Sequence, residues 1–309
     1  MRVMLGASLA PPTRSLAEFT LSEANGLSMT VPRHFSTMPE KDQLRAVVSK
    51  HRSLTGRVAL VTGSTRGIGA GIARAFAEHG VRVVVHGLPR HAAEGKRLVA
   101  AIRAGGGEAR LVTGDLAREA FCRRLVARTL EYFGRLDILV NNAGIFPRGD
   151  ILNTSVELWD RIFAVNLRAP FILAQEAVKH MKRRRSGSII NIGSVNAYIG
   201  LRRLVAYAAS KGGLMTFSRN LANSLSRYRI RVNLINPGWV FTEGEDHMES
   251  VEEGQGKKWV KEVLKTRPFG RMLAPADIAR AALFFARNEL VSGAVLDYEQ
   301  MPVGTLREP

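Results

Sequence analysis

The run Arg57-Val-Ala-Leu-Val-Thr-Gly-Ser-Thr-Arg-Gly-Ile-Gly69 joins an apolar stretch to a glycine-rich turn. Its first five residues predict a short buried strand, and a helical pattern follows the turn. Gly63, Gly67 and Gly69 allow a tight turn whose backbone approaches a pyrophosphate, while the amino terminus of the helix favours its negative charge. A strand, a glycine turn and a helix in this order predict a dinucleotide-binding unit.

Further apolar strands alternate with helical patterns along the rest of the chain. They are predicted at 81–86, 109–113, 138–140, 188–192, 231–235 and 294–296. This alternation predicts right-handed βαβ units, and therefore a doubly wound parallel sheet (Rossmann fold) in three α/β/α layers. We expect a single domain of this kind at residues 54–309. Residues 1–53 lack periodicity and predict a poorly ordered extension, whereas the polar residues 242–266 predict a mobile segment.

The charge of the chain is strongly positive, at +18, which raises nucleic acid or an acidic protein as a partner. The charge is spread, however, and its one dense run, Lys182 to Arg185, ends a helical pattern, where cations suit the helix dipole and solvent. No zinc-ligand spacing and no aromatic RNA-binding motif accompanies this run. We therefore expect neither a nucleic-acid partner nor a bound metal.

The cysteine content and the hydropathy indicate the cellular compartment in which the chain is expected. The chain has one cysteine, Cys122, so no disulfide within the chain is possible, which fits a reducing, cytoplasmic environment. The hydrophobic fraction is 46% and the charged fraction 23%, as in soluble globular proteins with a sizeable core. No apolar run approaches the roughly 18 residues of a membrane span, so no membrane partner is expected.

A tyrosine and a lysine lie four residues apart in the helical pattern after the strand at 188–192. On a helix, Tyr207 and Lys211 share one face, so their polar ends can converge. A nearby ammonium group favours the phenolate and lowers the pKa of the tyrosine, which is otherwise near ~10. Ser194, at the mouth of the preceding strand, could donate a hydrogen bond to the same substrate oxygen. Alone, this pair is more typical of an ordinary helix surface.

The chain from about Leu54 to Val303 resembles the short-chain dehydrogenase/reductase family, of the single-domain type. Ser194 precedes Tyr207 by 13 residues, which is the usual interval in that family. The other residues that carry the resemblance are Thr62, Gly63, Gly67, Gly69, Asp115, Asn141, Asn142, Ala143, Gly144, Asn166, Lys211, Pro237, Gly238 and Thr242.

The resemblance implies a role for each matching position in the oxidoreductase reaction. It implies that Tyr207 is the general acid/base, that Lys211 lowers its pKa and holds the nicotinamide ribose, and that Ser194 polarises the substrate oxygen. It further implies that Asn166 kinks its helix and holds a proton-relaying water, and that Asn141 steadies the central strands. The residues expected to bind the cofactor are Gly63, Ser64, Arg66, Gly67, Ile68, Gly69, Asp115 (on the adenine), Leu116, Asn142, Ala143, Gly144, Tyr207, Lys211, Pro237, Gly238, Val240 and Thr242 (on the carboxamide).

The second strand indicates which nicotinamide cofactor is preferred. An NAD-preferring enzyme usually has an acidic residue at its end, for the ribose diol. Here the residues at 85–90 include no carboxylate. Arg66 or Arg90 could instead pair with a 2′-phosphate, which favours NADP over NAD.

The substrate itself is the least determined feature. Polar residues at 195–204 and 239–266 favour a small polar ketone or alcohol, sugar-derived or of the hydroxy-acid kind. Arg202 or Arg203 could meet an anionic group, or could simply face solvent. The alternatives are a 3-oxoacyl-[acyl-carrier-protein] reductase and, from a different class, a non-catalytic cofactor-binding regulator. The residues offered to a substrate are Asn196, Tyr198, Arg202, Arg203, Trp239, Glu243, His247 and Trp259.

A homotetramer with long helices at the interface is implied by the resemblance.

Overall fold

Seven parallel strands form the central sheet of the computed structural model, which describes residues 53–199 and 201–302. The strands are β1 (Val58–Val61), β2 (Arg82–Gly87), β3 (Ala109–Thr113), β4 (Ile138–Asn141), β5 (Gly187–Ile192), β6 (Ile230–Pro237) and β7 (Val295–Tyr298). Their spatial order is β3-β2-β1-β4-β5-β6-β7. The order reverses between β1 and β4, so a ligand crevice forms where their carboxyl ends diverge. The predicted doubly wound parallel sheet is confirmed.

Helices connect the strands and cover both faces of the sheet. They are α1 (Gly67–Glu78), α2 (Ala92–Ala104), α3 (Glu119–Phe133), α4 (Val156–Phe163), α5 (Ala169–Arg184), α6 (Val205–Leu225), α7 (Glu243–His247), α8 (Lys258–Lys265) and α9 (Pro275–Arg287). A π-helix, Ala164–Arg168, joins α4 to α5, and a second, Met248–Glu252, follows α7. No helix in the described part of the chain is long and apolar enough to cross a membrane.

Two apolar cores lie on opposite faces of the sheet. One packs α1, α2 and α9 against the strands and includes Phe76 and Phe285. The other packs α3, α5 and α6 against the opposite face and includes Leu125 and Leu173. Because both faces are covered, β1 and β4 are buried at every position, which explains why they read as continuous apolar runs.

The region predicted as a mobile segment, 242–266, is instead largely helical. It contains α7, the π-helix and α8. Trp259 anchors α8 and is only 1% exposed, packing beside Val263 and Met272. Its ring nitrogen also donates a hydrogen bond to Asp246, over 2.9 Å. One large buried side chain thus fixes a segment whose composition is polar.

The extension predicted at 1–53 lies, except for Ser53, outside the described residues.

The basic run at the end of α5 is partly used in packing. Arg184 donates to the carbonyl of Leu136 over 2.6 Å and pairs with Asp137 at 3.1 Å. Arg185 donates to the carbonyl of Arg227 over 2.9 Å. These bonds tie the end of α5 to neighbouring loops, as suits cations at a helix carboxyl terminus.

Candidate active site

The glycine turn between β1 and α1 requires its glycines. Gly63 and Gly67 have φ of +61° and +58°, a left-handed conformation that residues with a side chain rarely adopt. A Cβ at Gly63 would lie 2.8 Å from the Cα of Ala143, and one at Gly69 would lie 2.5 Å from the Asn142 amide nitrogen. The turn therefore packs directly on the loop after β4.

That loop is bonded to the turn by Thr62 and Asn142. The Thr62 hydroxyl accepts hydrogen bonds from the backbone N–H groups of Asn142 and Ala143, over 2.9 and 3.0 Å. The Asn142 amide donates to the carbonyls of Thr62 and Gly63, over 2.8 and 3.1 Å. The two loops that flank the switch point therefore behave as one rigid unit.

The arrangement fits a dinucleotide. Helix α1 begins at Gly67 with neither a side-chain cap nor an acidic residue in its first turn, so its amino terminus presents uncapped N–H groups. A pyrophosphate is the charge that such a terminus stabilises. Arg66, the exposed residue before the helix, lies beside Thr242 and Gly244. The side chain of Ile68 packs partly into the core.

Ser64 is fully buried and holds the turn from within. Its hydroxyl donates to the carbonyl of Val61 over 2.6 Å and accepts from the N–H of His86 over 3.0 Å. Its own N–H donates to the carbonyl of His86 over 2.7 Å. The Ser64 hydroxyl therefore forms its hydrogen bonds inside the protein. Ser64 is expected to contribute to the cofactor site by fixing the shape of the turn.

His86, at the end of β2, joins two loops of the site. The N–H of Gly63 donates to its Nδ1 over 3.1 Å, so the ring proton resides on Nε2, which donates to the carbonyl of Gly114 over 3.2 Å. Burial lowers the pKa of His86 to about 4, although the Gly114 bond and Asp115 act in the opposite direction. The ring is therefore neutral at neutral pH and holds the glycine turn against the loop after β3.

Asp115 and Leu116 lie in that loop. Burial raises the pKa of Asp115, but hydrogen bonds from Arg161 and from the N–H of Ala117 outweigh it, and the net pKa is lowered. The Arg161 contact is 2.8 Å and the Ala117 contact 2.9 Å. The carboxylate is thus ionised and half-buried, while Leu116 packs into the core beneath it.

The opposite wall of the crevice follows β6. A Cβ at Gly67 would lie 3.6 Å from the Thr242 methyl, so Thr242 faces the glycine turn. Thr242 also caps α7 by accepting from the N–H of Glu245 over 3.1 Å. Pro237 pairs with β7, and Val240 is buried. The structure thus brings both walls of the predicted cofactor site together.

Ser194, Tyr207 and Lys211 meet at the carboxyl end of β5. The Ser194 hydroxyl lies close enough to Tyr207 to act on the pKa of its phenol, and the Ser194 N–H donates to Asn236 over 2.9 Å. Lys211 is 3% exposed; its ammonium group donates to the carbonyl of Ile192 over 2.8 Å and lies 5.6 Å from the centre of the Tyr207 ring. The sequence spacing therefore does bring these three polar groups together.

The pKa of Tyr207 is raised, whereas the sequence predicted that it would be lowered. Burial raises it to about 12, and the hydrogen bond with Ser194 only partly opposes this. Burial also lowers the pKa of Lys211 to about 8. The ammonium group lies over the ring and is bonded to a backbone carbonyl, so it does not offset the burial of the phenol. In this geometry Tyr207 is a neutral phenol, which is a proton donor.

Asn166 lies in the π-helix between α4 and α5, so the predicted irregularity in this helix is present. Its amide oxygen accepts from the N–H of Ile145 over 2.9 Å, and its amide nitrogen donates to the carbonyl of Ile145 over 2.9 Å and to Ser210 over 3.1 Å. A Cβ at Gly144 would lie 3.5 Å from both the Asn166 oxygen and the Lys211 nitrogen. Asn166 thus holds the 144–146 loop beside the lysine.

Asn141 is the last residue of β4 and ties the central strands together. Its amide donates to Asn191 over 2.8 Å, and Asn191 donates to Ser218 of α6 over 2.7 Å. This chain links β4, β5 and α6, as expected from the resemblance. It places the helix that carries Tyr207 in a fixed position on the sheet.

Several side chains on the substrate side of Tyr207 were not predicted from the sequence. Phe146 meets the Tyr207 ring edge-on, with centroids 6.0 Å apart. Arg148 and Glu245 both carry charges that act on the Tyr207 hydroxyl. Glu249, only 4% exposed, pairs with Arg148 at 2.6 Å. Arg148 and Glu249 are 101 residues apart, so no local pattern could have revealed the pair.

The two arginines expected near the substrate are both exposed, and one of them is already paired with a carboxylate. Arg203 is exposed and pairs with Glu253 at 2.6 Å, and Arg202 is exposed. Trp259 belongs to the core, while Glu243 and His247 are exposed on α7. Within residues 53–199 and 201–302, no group of three or more His, Cys, Asp or Glu side chains could hold a metal ion.

Known proteins share the fold of this chain. A family model described as "Enoyl-(Acyl carrier protein) reductase" matches residues 63–298. A solved short-chain dehydrogenase of Burkholderia cenocepacia, in complex with NADP, superposes with a TM-score of 0.71 at 30% identity, covering 81% of this chain and 98% of that one. The chain belongs to the short-chain dehydrogenase/reductase family. It is accordingly an NAD(P)-dependent oxidoreductase acting on alcohol or ketone groups.

Two curated members of the family show how far the similarity reaches. An uncharacterised oxidoreductase of Thermotoga maritima is 38% identical over 247 residues, which cover 79% of this chain and 96% of the relative. An NADP-dependent (R)-specific alcohol dehydrogenase of Lentilactobacillus kefiri is 37% identical over 240 residues, covering 76% and 91%. This short-chain dehydrogenase/reductase therefore matches its relatives over nearly their whole length.

Proposed function

We propose that this enzyme interconverts a small polar ketone and its secondary alcohol with NADP, using Tyr207 as the proton donor and acceptor. The observation that carries the proposal is the meeting of Ser194, Tyr207 and Lys211 at the carboxyl end of β5, across the crevice from the glycine turn. Asn166 completes the group by holding the loop beside the Lys211 ammonium.

The side chains divide the chemistry in a simple way. The bound nicotinamide supplies the hydride for the carbonyl carbon, or accepts it in the reverse direction. Ser194 and Tyr207 donate hydrogen bonds to the substrate oxygen, which stabilise the negative charge that develops there. Tyr207 then gives its hydroxyl proton to that oxygen, and the positive charge of Arg148 favours the resulting phenolate. Solvent returns the proton to Tyr207.

Tyr207→Phe tests this assignment. The variant keeps the ring and its contact with Phe146 but has no proton to transfer, so we expect turnover to fall by about a thousandfold, within the usual contribution of general acid–base catalysis. NADPH binding, measured by fluorescence, should change little, since the turn at 62–69 is untouched. Near-normal turnover of Tyr207→Phe would refute the role. A wild-type protein that binds NADPH but turns over no ketone or alcohol would support the regulator alternative.

The preference for NADP is supported by the end of β2. Gly87 occupies the place of the acidic residue that NAD-preferring relatives use, and a Cβ there would lie 2.7 Å from the Thr65 hydroxyl oxygen. No carboxylate therefore opposes a 2′-phosphate at this position. Arg66 and Arg90 are exposed cations at the rim of the same crevice. Equal kcat/KM with NADPH and NADH would refute the preference.

A second candidate is a 3-oxoacyl-[acyl-carrier-protein] reductase. The family model that matches the chain is named for an acyl-carrier-protein substrate, and the net charge of +18 suits an acidic carrier. The buried Arg148–Glu249 pair and Glu245 beside Tyr207 favour a polar substrate instead. Reduction of an acetoacetyl-carrier protein with a kcat/KM above that of every small polar ketone would establish the second candidate.

We also propose that the enzyme is a homotetramer, as the family resemblance implies. Phe171 of α5 is 47% exposed and meets the ring of Phe217 of α6, with centroids 6.2 Å apart. This aromatic pair gives the two long helices an apolar face suited to a second copy. Light scattering of the wild type and of Phe171→Glu measures the assembly, and a monomeric wild type would refute it.

A further inference from the structure

A network of ion pairs holds the segment at 243–253 over the Tyr207 side of the crevice. Arg148 contacts Glu249 at 2.6 Å and lies 3.6 Å from Glu253, and both carboxylates are on the π-helix after α7 or directly behind it. Gln255 adds a bond to Glu249 over 2.7 Å. Since Arg148 lies two residues beyond Phe146, which contacts Tyr207, this network fixes α7 next to the reacting groups.

Three arginines of this region are already paired with carboxylates. Arg148 is shared by Glu249 and Glu253, and Arg203 pairs with Glu253. Arg267, which lies near the Trp239 ring, is buried and pairs with Glu299 at 3.2 Å. An anionic substrate group would have to break one of these pairs before any of these three arginines could bind it. The three pairs therefore disfavour a carboxylate or phosphate beside them.

Glu245 differs from these carboxylates because it forms no ion pair with a cation in the described part of the chain, although the charge of Arg148 acts on it. It lies four residues before Glu249, so both side chains lie on the face of the segment that meets Arg148 and Tyr207. Its Oε1 accepts from the Trp239 ring nitrogen over 2.7 Å. Its Oε2 has no hydrogen-bond or ion-pair partner among residues 53–199 and 201–302. Burial raises the pKa of Glu245, although the Trp239 bond opposes this.

We infer that Glu245 determines substrate specificity: its free carboxylate oxygen accepts a hydrogen bond from a hydroxyl group of an uncharged hydroxyketone or polyol. This inference rests on the proposed function and narrows its substrate class. A hydroxyl donor satisfies the half-buried Oε2, whereas an apolar group leaves it unpaired and a carboxylate repels it. The enzyme is therefore selective for neutral, hydroxylated substrates over both keto acids and simple ketones.

Three small methyl ketones separate these cases. Hydroxyacetone carries a hydroxyl, butanone replaces it with a methyl group, and pyruvate carries a carboxylate beside the carbonyl. With NADPH, we expect the wild type to reduce hydroxyacetone with a kcat/KM about 10- to 100-fold above those of butanone and pyruvate, the range expected for a hydrogen bond to a charged group.

Glu245→Gln is the decisive variant. The glutamine oxygen still accepts from Trp239, but an amide NH₂ replaces the free oxygen, so the hydroxyl loses its acceptor and the negative charge is removed. We expect the preference for hydroxyacetone over butanone and over pyruvate to fall by about 10-fold or more, with the Kd for NADPH unchanged. Glu243→Gln, which removes an exposed carboxylate from the same helix, serves as the control and should keep wild-type selectivity.

The outcomes distinguish this inference from the function on which it rests. A wild type that prefers pyruvate or butanone, or a Glu245→Gln variant with wild-type selectivity, overturns the role of Glu245 and leaves the oxidoreductase proposal standing. A loss of selectivity in Glu243→Gln equal to that in Glu245→Gln also overturns it, because the effect is then one of net charge. Failure of the wild type to turn over any ketone or alcohol overturns both.

Discussion

Replacing His86 tests how firmly the two cofactor-binding loops depend on one buried ring. Its Nδ1 accepts from the N–H of Gly63 over 3.1 Å, and its Nε2 lies 3.2 Å from the carbonyl of Gly114. In His86→Leu both groups lose their partner. A buried polar group left unpaired costs about 1–3 kcal/mol, so the free energy of unfolding should fall by at least that amount.

Two conservative variants separate the contribution of the Gly63 hydrogen bond from that of the Gly114 hydrogen bond. The amide oxygen of His86→Asn stands near the position of Nδ1 and keeps the bond from Gly63, whereas the longer side chain of His86→Gln reaches toward Gly114. We expect His86→Asn to stay close to the wild type in its Kd for NADPH, because the glycine turn keeps its acceptor. We expect His86→Leu to bind NADPH about 10-fold more weakly, since 1.4 kcal/mol corresponds to a factor of ten. In His86→Leu, kcat at saturating NADPH should change little.

The pH dependence gives an independent check on the same residue. The pKa of His86 is about 4 in the folded protein and 6.5 in the unfolded chain, so the unfolded chain binds more protons between these values. The wild type should therefore lose stability relative to His86→Asn as the pH falls from 6.5 to 4, by about 3 kcal/mol. Urea unfolding across this range measures it. Parallel pH profiles, or a His86→Leu protein with wild-type stability and NADPH affinity, would refute the reasoning.

The remaining predictions concern buried charges. Lys211 has its pKa lowered to about 8 from 10.5, so burial of the ammonium destabilises the folded protein below pH 8, and this penalty vanishes as the pH rises to 10.5. Relative to Lys211→Met, the wild type should gain about 3 kcal/mol in unfolding free energy across that window, and equal slopes would contradict this. Arg148→Met should lose about 3–5 kcal/mol of stability, because Glu249 is left buried without its cation and keeps only the bond from Gln255. Arg148→Met/Glu249→Gln should recover most of this loss in thermal unfolding, and a double variant as unstable as the single one would show that the pair is not the cause.

The sequence predicted the elements whose patterns are local. The strands of a sheet covered on both faces are apolar throughout, so β1 to β6 could be located from 4–8 residue runs, and the glycines of the turn identified its position. The spacing of Tyr207 and Lys211 predicted a shared helix face, which the structure bears out.

What the sequence could not predict depends on partners far along the chain. Trp259 is a single buried residue in a polar segment, and its pairing with Asp246 turns an apparent loop into ordered helices. His86 is buried only because it bonds to residues 23 and 28 positions away. The pKa of Tyr207 could not be inferred either, since the cost of burying its hydroxyl outweighs the polar neighbours that the motif supplies.

The close approach of Gly87 to Thr65 also limits how this enzyme can diverge. An aspartate at position 87 would supply a ribose-binding carboxylate, but its Cβ would meet the Thr65 side chain, which is itself buried under the glycine turn. The first mutation on that route must therefore shrink residue 65 and loosen the turn, at a loss of stability, before residue 87 can change. An intermediate form on this path would bind either nicotinamide cofactor less well than its ancestor. On the proposed preference for NADP, we predict that a switch toward NAD succeeds only as a paired change at positions 65 and 87.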